Sequence, residues 1–220
     1  MKLPNKSVER NLFKSGYRLI YAVDEVGMGC LAGPVVVCAV AMTNQFYKKT
    51  HKKLKWLKES KLLNAKQREL FSIELLKEKD LVYALAYSYP KTIDKLNIYN
   101  AARLAMRRAI IKLTPSVQSS VLNILQRSIV LVDGRTKIKG LNIEQMPIIK
   151  GDRKIFAIAC ASIIAKVFRD KMMVRYAKKY LGYGFEKHKG YGTKYHQTQL
   201  IILGPSEIHR KSFAPVAKLL

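Results

Sequence analysis

Apolar and polar positions along the chain follow two periods, one typical of strands and one typical of helices. Mostly apolar, β-favouring runs, each bounded by turn residues or by a proline, occupy four segments: 18–23, 34–42, 81–89 and 129–132. A glycine-rich turn at residues 27–29 separates the first two runs, which predicts a hairpin of adjacent strands with a short connection. The fourth run is apolar without interruption, as in a strand that is buried on both faces.

Helical spacing of apolar residues occurs in three further segments: residues 64–78, 97–113 and 155–180. Asn64 is placed to cap the first helix, Thr114-Pro115 predicts the end of the second, and the third contains neither glycine nor proline. Strands that come first and then alternate with helices predict an α/β fold, in which helices cover a mixed sheet.

The composition changes after Gly182, where glycine, tyrosine, histidine and lysine become frequent. We therefore assign residues 1–181 to a main domain and residues 182–220 to a C-terminal extension that packs on it. His188 and His196 lie in this extension, but no cysteine or third histidine is close to them in sequence, so no zinc site is predicted.

Basic residues outnumber acidic ones, with 41 Lys and Arg against 15 Asp and Glu, for a formal net charge of +26. Such a surface attracts polyanions, of which nucleic acid is the obvious one, but charge does not separate an enzyme from a passive binding protein. No apolar run approaches the roughly 18 residues that span a bilayer, and residues 1–15 lack the apolar core of a secretion signal. Together with three cysteines in apolar surroundings, these features favour a cytoplasmic protein without a membrane partner.

Acidic residues are scarce, so those inside apolar sequence are informative. Asp24 and Glu25 end the first predicted strand, Asp133 ends the buried strand, and Asp170 lies on the long helix. Charges at such positions cost free energy unless they are paired or bind a metal ion. Several carboxylates that converge in a basic surround form a hard oxygen site suited to Mg²⁺ or Mn²⁺, which can promote phosphodiester hydrolysis.

Each acid also has a purely structural interpretation. Asp133 precedes a glycine and is typical of a turn, while Asp24 and Glu25 are consistent with a solvated strand end. Adjacent strand residues point to opposite faces, so both reach one site only if the strand breaks there. Asp170 is four residues after Lys166 and consistent with a surface ion pair, and a polar helix face, which Ser162 shares, meets either solvent or a site.

The order of the motifs resembles the signature blocks of bacterial ribonuclease HII, a branch of the RNase H-like superfamily. The blocks are YAVDEVGMGCLAGPVVVCAV (21–40), LVDGR (131–135), ACASIIAKVFRDKMM (159–173), GFEKHKGYGTKYH (184–196) and GPSEIHRKSFAPV (204–216). Weaker matches lie at Glu59-Ser60-Lys61 and across residues 93–109. The resemblance covers nearly the whole chain, in the expected order.

The resemblance implies an RNase H-like mixed sheet of about five strands and a helical C-terminal portion. It also implies cleavage of the RNA strand in RNA–DNA hybrids, and cleavage 5′ of ribonucleotides embedded in duplex DNA, with 3′-hydroxyl and 5′-phosphate ends. The four metal-binding acids of the family are placed on Asp24, Glu25, Asp133 and Asp170. Asp24 would bridge two ions of Mg²⁺ or Mn²⁺ in such a site.

Further residues are assigned to substrate contact by the same resemblance. Gly27 and Gly29 would allow the backbone to approach the 2′-hydroxyl that distinguishes RNA from DNA, and Tyr191 would pack on the sugar. The family usually has arginine between the two glycines, whereas this chain has Met28. We therefore expect cleavage to be kept and the preference for single ribonucleotides to weaken. Lys166 and Ser162 are candidate phosphate contacts.

Two alternatives stay open at the level of sequence. Ribonuclease HIII shares the fold and lacks that arginine, but normally carries a substantial N-terminal domain, whereas about sixteen residues precede the first predicted strand here. A non-catalytic basic protein would bind nucleic acid with a steep salt dependence and without metal-dependent cutting. We expect a monomer whose partners are RNA–DNA hybrid and ribonucleotide-containing duplex DNA.

Overall fold

The computed structural model describes residues 3–49, 54, 56–120 and 127–220. Five strands form one sheet: β1 Leu19–Val26, β2 Val35–Thr43, β3 Leu81–Ser88, β4 Ser128–Asp133 and β5 Glu144–Ile148. Their order in the sheet is β3-β2-β1-β4-β5, with β1, β2 and β3 antiparallel and with β1, β4 and β5 parallel. The prediction of a mixed α/β sheet of about five strands is confirmed, and β5 is a strand that the sequence pattern did not show.

Helices surround the sheet. Those of the N-terminal half are α1 Ser7–Lys14, α2 Asn44–Lys48, α3 Ala65–Lys77, α4 Pro90–Leu96 and α5 Ile98–Ser120. Those of the C-terminal half are α6 Gly151–Lys154, α7 Phe156–Lys179, α8 Phe185–His188, α9 Lys194–Leu203 and α10 Ala214–Ala217. In the described part of the chain, no helix is both long and apolar enough to cross a membrane.

Most predicted boundaries agree with these elements to within a few residues. Asn64 caps α3 as predicted: its side chain accepts from the Gln67 amide, and the Gln67 side chain accepts from the Asn64 amide. One boundary is wrong, because α5 continues past Pro115 to Ser120. A proline inside a helix removes one N–H donor and crowds the carbonyl four residues earlier, which can kink a long helix without ending it. The hairpin between β1 and β2 is present, but residues 27–34 form a longer connection than predicted.

The two faces of the sheet carry separate apolar layers, and β1 supplies both by alternation. Ile20 and Ala22 belong to the layer under α7, whereas Leu19, Tyr21 and Val23 belong to the layer under α5. Both layers are built mainly from fully buried aliphatic side chains. The strand ends are therefore held in place by packing on both sides, which fixes where the acids that follow them lie.

The C-terminal segment packs on the main body through a third apolar cluster. Tyr183, Phe185 and Leu200 contact Met173 of α7 and Leu31 of the connection between β1 and β2 within this cluster. Main-chain bonds join the same regions, since the Leu31 amide donates to the Gly190 carbonyl at 2.8 Å. Residues 182–220 thus lie against the connection that carries the glycine turn.

Candidate active site

A cavity of about 380 Å³ lies where β1 and β4 end, and we call it the acid cavity. Nine of the ten site residues that the sequence predicted line it: Asp24, Glu25, Gly27, Met28, Gly29, Asp133, Ser162, Lys166 and Tyr191. Asp170 is not among the lining residues. The cavity also includes Ser60, Lys61 and Asp152, which the prediction omitted.

Topology explains why three of the acids meet. Strands β1 and β4 are parallel neighbours, and Val23 lies opposite Val132. Asp24 and Asp133, the next residue of each strand, therefore lie at the same end of the β1–β4 pair. Alternation places Asp24 on the α7 face and Glu25 on the α5 face. Both side chains line the cavity although β1 pairs regularly with β2 as far as Val26, so no bulge brings them together.

Burial and neighbouring charges raise the pKa of both acids of β1. Burial, then the charges of Glu25 and Asp133, hold the pKa of Asp24 well above its usual range. Burial and the charge of Asp133 raise the pKa of Glu25 to about 7. Glu25 Oε2 is buried and accepts no hydrogen bond in the described part of the protein. Ionisation of these acids is therefore opposed in the protein alone, and a cation bound among them would favour their ionised forms.

Asp152 is the acid that the sequence analysis missed. It lies in the first turn of α6 and lines the acid cavity, and its pKa is raised by burial and by the charges of Asp133 and Glu59. The preceding Gly151 amide donates to Asp133 Oδ1 at 2.6 Å, so the start of α6 is anchored on the end of β4. Asp152 lies soon after a strand, which is the pattern that indicated the other acids, but β5 is only partly apolar and its sequence does not predict a buried strand.

Asp170, which was predicted to join the other acids, does not line the acid cavity. Its carboxylate accepts from Lys166 Nζ at 2.8 Å and lies 3.9 Å from an Arg68 nitrogen. On a helix that rises about 1.5 Å per residue, it is two turns beyond Ser162, whose side chain does line the acid cavity. The structural alternative, an ion pair with the lysine four residues earlier, describes it.

The donor set fits a hard divalent cation, although the side chains are not drawn together into a cage. Carboxylate oxygens are the ligands that Mg²⁺ and Mn²⁺ prefer. Across the described residues, no three His, Cys, Asp or Glu side chains form a ready-made metal-binding group. Like charges repel one another, so rotation of Asp24, Glu25, Asp133 and Asp152 would be needed to bring their oxygens to the roughly 2.0–2.1 Å of a magnesium shell.

Two fully buried arginines contact the glycine turn and hold its main chain in place. Arg210 donates to the carbonyls of Gly27 at 2.6 Å, Met28 at 2.9 Å and Gly33 at 3.1 Å. Gly27 has φ +101°, and a Cβ there would lie 2.9 Å from Cδ of the second arginine, Arg169. Glycine is therefore required at residue 27 both by its backbone conformation and by the guanidinium beside it.

The side chain of Met28 has two different surroundings. It lines the acid cavity, and it also packs against the apolar cluster of Val35, Ile93 and Ala102. Part of its side chain is thus committed to the protein interior. The main chain of the glycine turn, in contrast, borders the cavity at Gly27 and Gly29.

Tyr191 also lines the acid cavity and is 38% exposed. Its ring lies 5.6 Å from Lys166 Nζ and 5.9 Å from the Arg169 guanidinium, both within cation–π distance. Arg169 also donates to the Lys189 carbonyl at 2.9 Å, which ties the loop of Tyr191 to α7. An accessible aromatic ring between cations suits a sugar or base that is followed by a phosphate.

A second, larger cavity of about 810 Å³ adjoins the first and shares Lys166 and Tyr191 with it. We call it the basic groove, because its lining includes Arg68, Lys166, Lys171, Arg175, Lys187 and Lys189. Asp170 lines this groove, paired with Lys166 as described. The acid cavity therefore opens beside a surface that favours a polyanion.

Comparison with known proteins gives a consistent result. The sequence profile described as Ribonuclease HII matches residues 22–216. The chain is 46% identical over 208 residues to Ribonuclease HII of Caldicellulosiruptor saccharolyticus, covering 94% of this chain and 92% of that protein.

Solved structures share the fold. Ribonuclease H2 from Pyrococcus horikoshii superposes with a TM-score of 0.70 at 23% identity, over 91% of this chain and 96% of that one. Bst-RNase HIII in complex with Mn²⁺ gives a TM-score of 0.66 at 17% identity, over 93% of this chain and 70% of that one.

Proposed function

The chain belongs to the ribonuclease HII family and is therefore a ribonuclease H acting on RNA–DNA hybrids, and we propose that the acid cavity is its active site. In this proposal the enzyme hydrolyses the RNA strand of hybrids, also cuts 5′ of ribonucleotides embedded in duplex DNA, and leaves 3′-hydroxyl and 5′-phosphate ends. The observation that carries it is the group of four acids, Asp24, Glu25, Asp133 and Asp152, which line one cavity in a chain of net charge +26.

These four acids would hold the divalent cations on which the reaction depends. When bound, Mg²⁺ or Mn²⁺ supplies Lewis acidity for the attacking water and for the departing 3′ oxygen. The raised pKa values of Asp24 and Glu25 and the orphaned Glu25 Oε2 support this role, because a bound cation would offset the burial and the mutual repulsion that raise them. A Mn²⁺ complex of a protein with the same fold supports the use of a divalent ion.

The remaining lining residues would recognise the substrate. Gly27 and Gly29 would let the main chain approach the 2′-hydroxyl, while Tyr191 would pack on the sugar. Lys166 and Ser162 also line the cavity and would contact phosphate oxygens. Ser60 hydrogen-bonds to Ser162, with the two hydroxyl oxygens 3.0 Å apart, and so helps to orient it.

The path of the strand beyond the scissile phosphate would follow the basic groove. The groove begins at Lys166 and Tyr191, the residues that it shares with the acid cavity. Residues 182–220 supply one side of it through Lys187 and Lys189, so we propose that this C-terminal extension completes the substrate site. Contacts of this kind would weaken with salt and would be insensitive to base sequence.

The experiment that tests the site compares three Asp→Asn variants on a duplex with one ribonucleotide and on a continuous hybrid, with Mg²⁺, Mn²⁺ or chelator. Asp152→Asn is expected to lower kcat by about 100-fold or more, because it removes an electrostatic contributor to the reacting centre. Asp170→Asn should cost less than about tenfold. Asp80→Asn, which removes a surface ion pair with Lys49, is the matched control and should match the wild type.

Three results would overturn parts of the proposal. An absence of cleavage of both substrates with every metal would contradict the enzyme and favour a non-catalytic binding protein. Wild-type activity of Asp152→Asn would remove Asp152 from the site. A larger loss for Asp170→Asn than for Asp152→Asn would return Asp170 to the metal site.

A further inference from the structure

Three histidines of the C-terminal segment, His188, His196 and His209, lie in mutual contact outside the acid cavity. The rings of His188 and His196 stack with centroids 4.4 Å apart, and Nε2 of His196 is 3.1 Å from Nε2 of His209. His196 and His209 are fully buried, and Phe185 packs against all three rings. Nothing in the proposed reaction uses these side chains.

The hydrogen bonds of His196 and His209 to their other neighbours determine which ring nitrogen of each carries the proton. The Ser206 amide can only donate, and it reaches His209 Nδ1 at 3.0 Å, so Nδ1 accepts and Nε2 carries the proton. His209 Nε2–H then donates to His196 Nε2, which leaves the proton of His196 on Nδ1. That Nδ1–H donates to the Tyr191 carbonyl at 2.8 Å. The directions agree along the whole path only when both rings are neutral.

The surroundings favour the neutral rings. Burial, and then the neighbouring histidines, lower the pKa of His209 to about 4, and burial lowers the pKa of His196 to about 4. His188 follows the same logic, because the Gly190 amide donates to its Nδ1 at 3.2 Å and its Nε2 lies 2.8 Å from the Tyr183 carbonyl. A protonated pair would set two N–H groups against each other.

We propose that His196 is a positioning residue for Tyr191, and that Ser206 and His209 supply the tautomer that this role requires. The inference rests on the proposed function in that Tyr191 contacts the substrate. The Tyr191 carbonyl accepts from His196 and from the Thr193 amide, also at 2.8 Å, so one histidine bond fixes the peptide next to the ring. Arg210, which holds the glycine turn, follows His209 directly, so residues 209 and 210 contact both the glycine turn and, through His196, the loop of Tyr191.

The first test reads the tautomers directly from ¹⁵N chemical shifts of the imidazole nitrogens in the full chain at neutral pH. We expect the proton of His196 on Nδ1 and those of His209 and His188 on Nε2. A proton on Nε2 of His196, or a charged ring at either position of the pair, would overturn the proposal.

The second test uses two substitutions of His196, each of which keeps one of its two hydrogen bonds and removes the other. Asparagine places an amide donor near the position of Nδ1, so His196→Asn keeps the bond to Tyr191 and loses the one to His209. Glutamine reaches the position of Nε2, so His196→Gln keeps the contact with His209 and loses Tyr191. We expect His196→Gln to lower kcat/KM by about 10- to 100-fold, mainly through KM, and His196→Asn to stay within about threefold.

A Tyr191→Ala background separates positioning from a general effect on folding. There, His196→Gln should cause no further loss, because its effect passes through Tyr191. An equal loss in both backgrounds would overturn the positioning role. If Tyr191→Ala is impaired while His196→Gln is normal, this inference fails and the proposed function stands. Full activity of Tyr191→Ala would instead refute the sugar contact itself, and the positioning role with it.

Discussion

Replacing Glu25 by glutamine is expected to stabilise the protein in the presence of chelator while it abolishes cleavage. Glu25 lies in the acid cavity with one oxygen buried and orphaned, and its ionised form is opposed by burial and by Asp133. Glutamine has nearly the same shape but no charge, and its amide group can donate to the neighbouring carboxylates. The same change removes an oxygen ligand from the proposed metal site.

The magnitude follows from the pKa of Glu25, which rises from 4.5 to about 7. At about 1.36 kcal/mol per unit, ionising Glu25 costs the folded state about 3 kcal/mol more than it costs the unfolded chain. Because the folded-state pKa is the higher one, stability falls as pH rises from about 4.5 to about 7, and the full cost is present at about pH 8. For a chain of 220 residues this corresponds to a rise in Tm of about 6–12 °C.

The assay is thermal and denaturant-induced unfolding with chelator at about pH 8 and at about pH 5. At the lower pH the gain should shrink to about 1 kcal/mol, because Glu25 is already protonated in the folded protein. Added Mg²⁺ should stabilise the wild type more than the variant. Glu69→Gln, which removes an exposed ion pair with Lys171, is the matched control and should change stability by less than about 1 kcal/mol. A variant that is no more stable than the wild type at the higher pH would refute the electrostatic description of the cavity.

Three further predictions concern the glycine turn and the buried histidines. Met28→Arg should raise kcat/KM for a single embedded ribonucleotide by about tenfold or more, since a charged donor contributes about 1.5–3 kcal/mol, and unchanged cleavage would contradict this role. Gly27→Ala should destabilise the protein by about 1–3 kcal/mol in denaturant unfolding, whereas Gly29→Ala, whose Cβ meets nothing within 4 Å, should change stability by less. The pKa values of His196 and His209, lowered to about 4, predict that their neutral pair loses up to about 3 kcal/mol per ring as pH falls from about 6.5 towards 4. Protonation of the acid cavity stabilises the protein over the same pH range, so the measurement is the difference in unfolding free energy between the wild type and His209→Gln as a function of pH. Identical pH profiles of stability would refute the prediction.

The sequence predicted the parts of this protein that depend on local pattern. The alternation in β1 and the buried run of β4 located Asp24 and Asp133 at strand ends, and parallel pairing brought them to one edge. The capping of α3 by Asn64 was also readable, because both members of the capping box lie within four residues.

What the sequence did not reveal depends on contacts between distant segments. Asp152 follows β5, whose weakly apolar sequence does not predict a buried strand. Asp170 lies on α7, a long helix that the sequence predicts clearly. The distance of Asp170 from the other acids is set by how α7 crosses the sheet, which periodicity does not report. The proximity of His209 to His196 likewise depends on the fold of the C-terminal segment.

The six hydrogen bonds that Arg169 and Arg210 donate reach main-chain carbonyls. A carbonyl is present at every residue, whatever side chain the residue carries. Apart from positions such as Gly27, where the backbone conformation requires glycine, side chains in the segments that these arginines hold can therefore change without the loss of a hydrogen bond. Residue 28 is such a position, because Arg210 contacts its carbonyl and not its side chain. In the proposed site, a substitution there could alter substrate preference while the four acids and the arginine hydrogen bonds are kept.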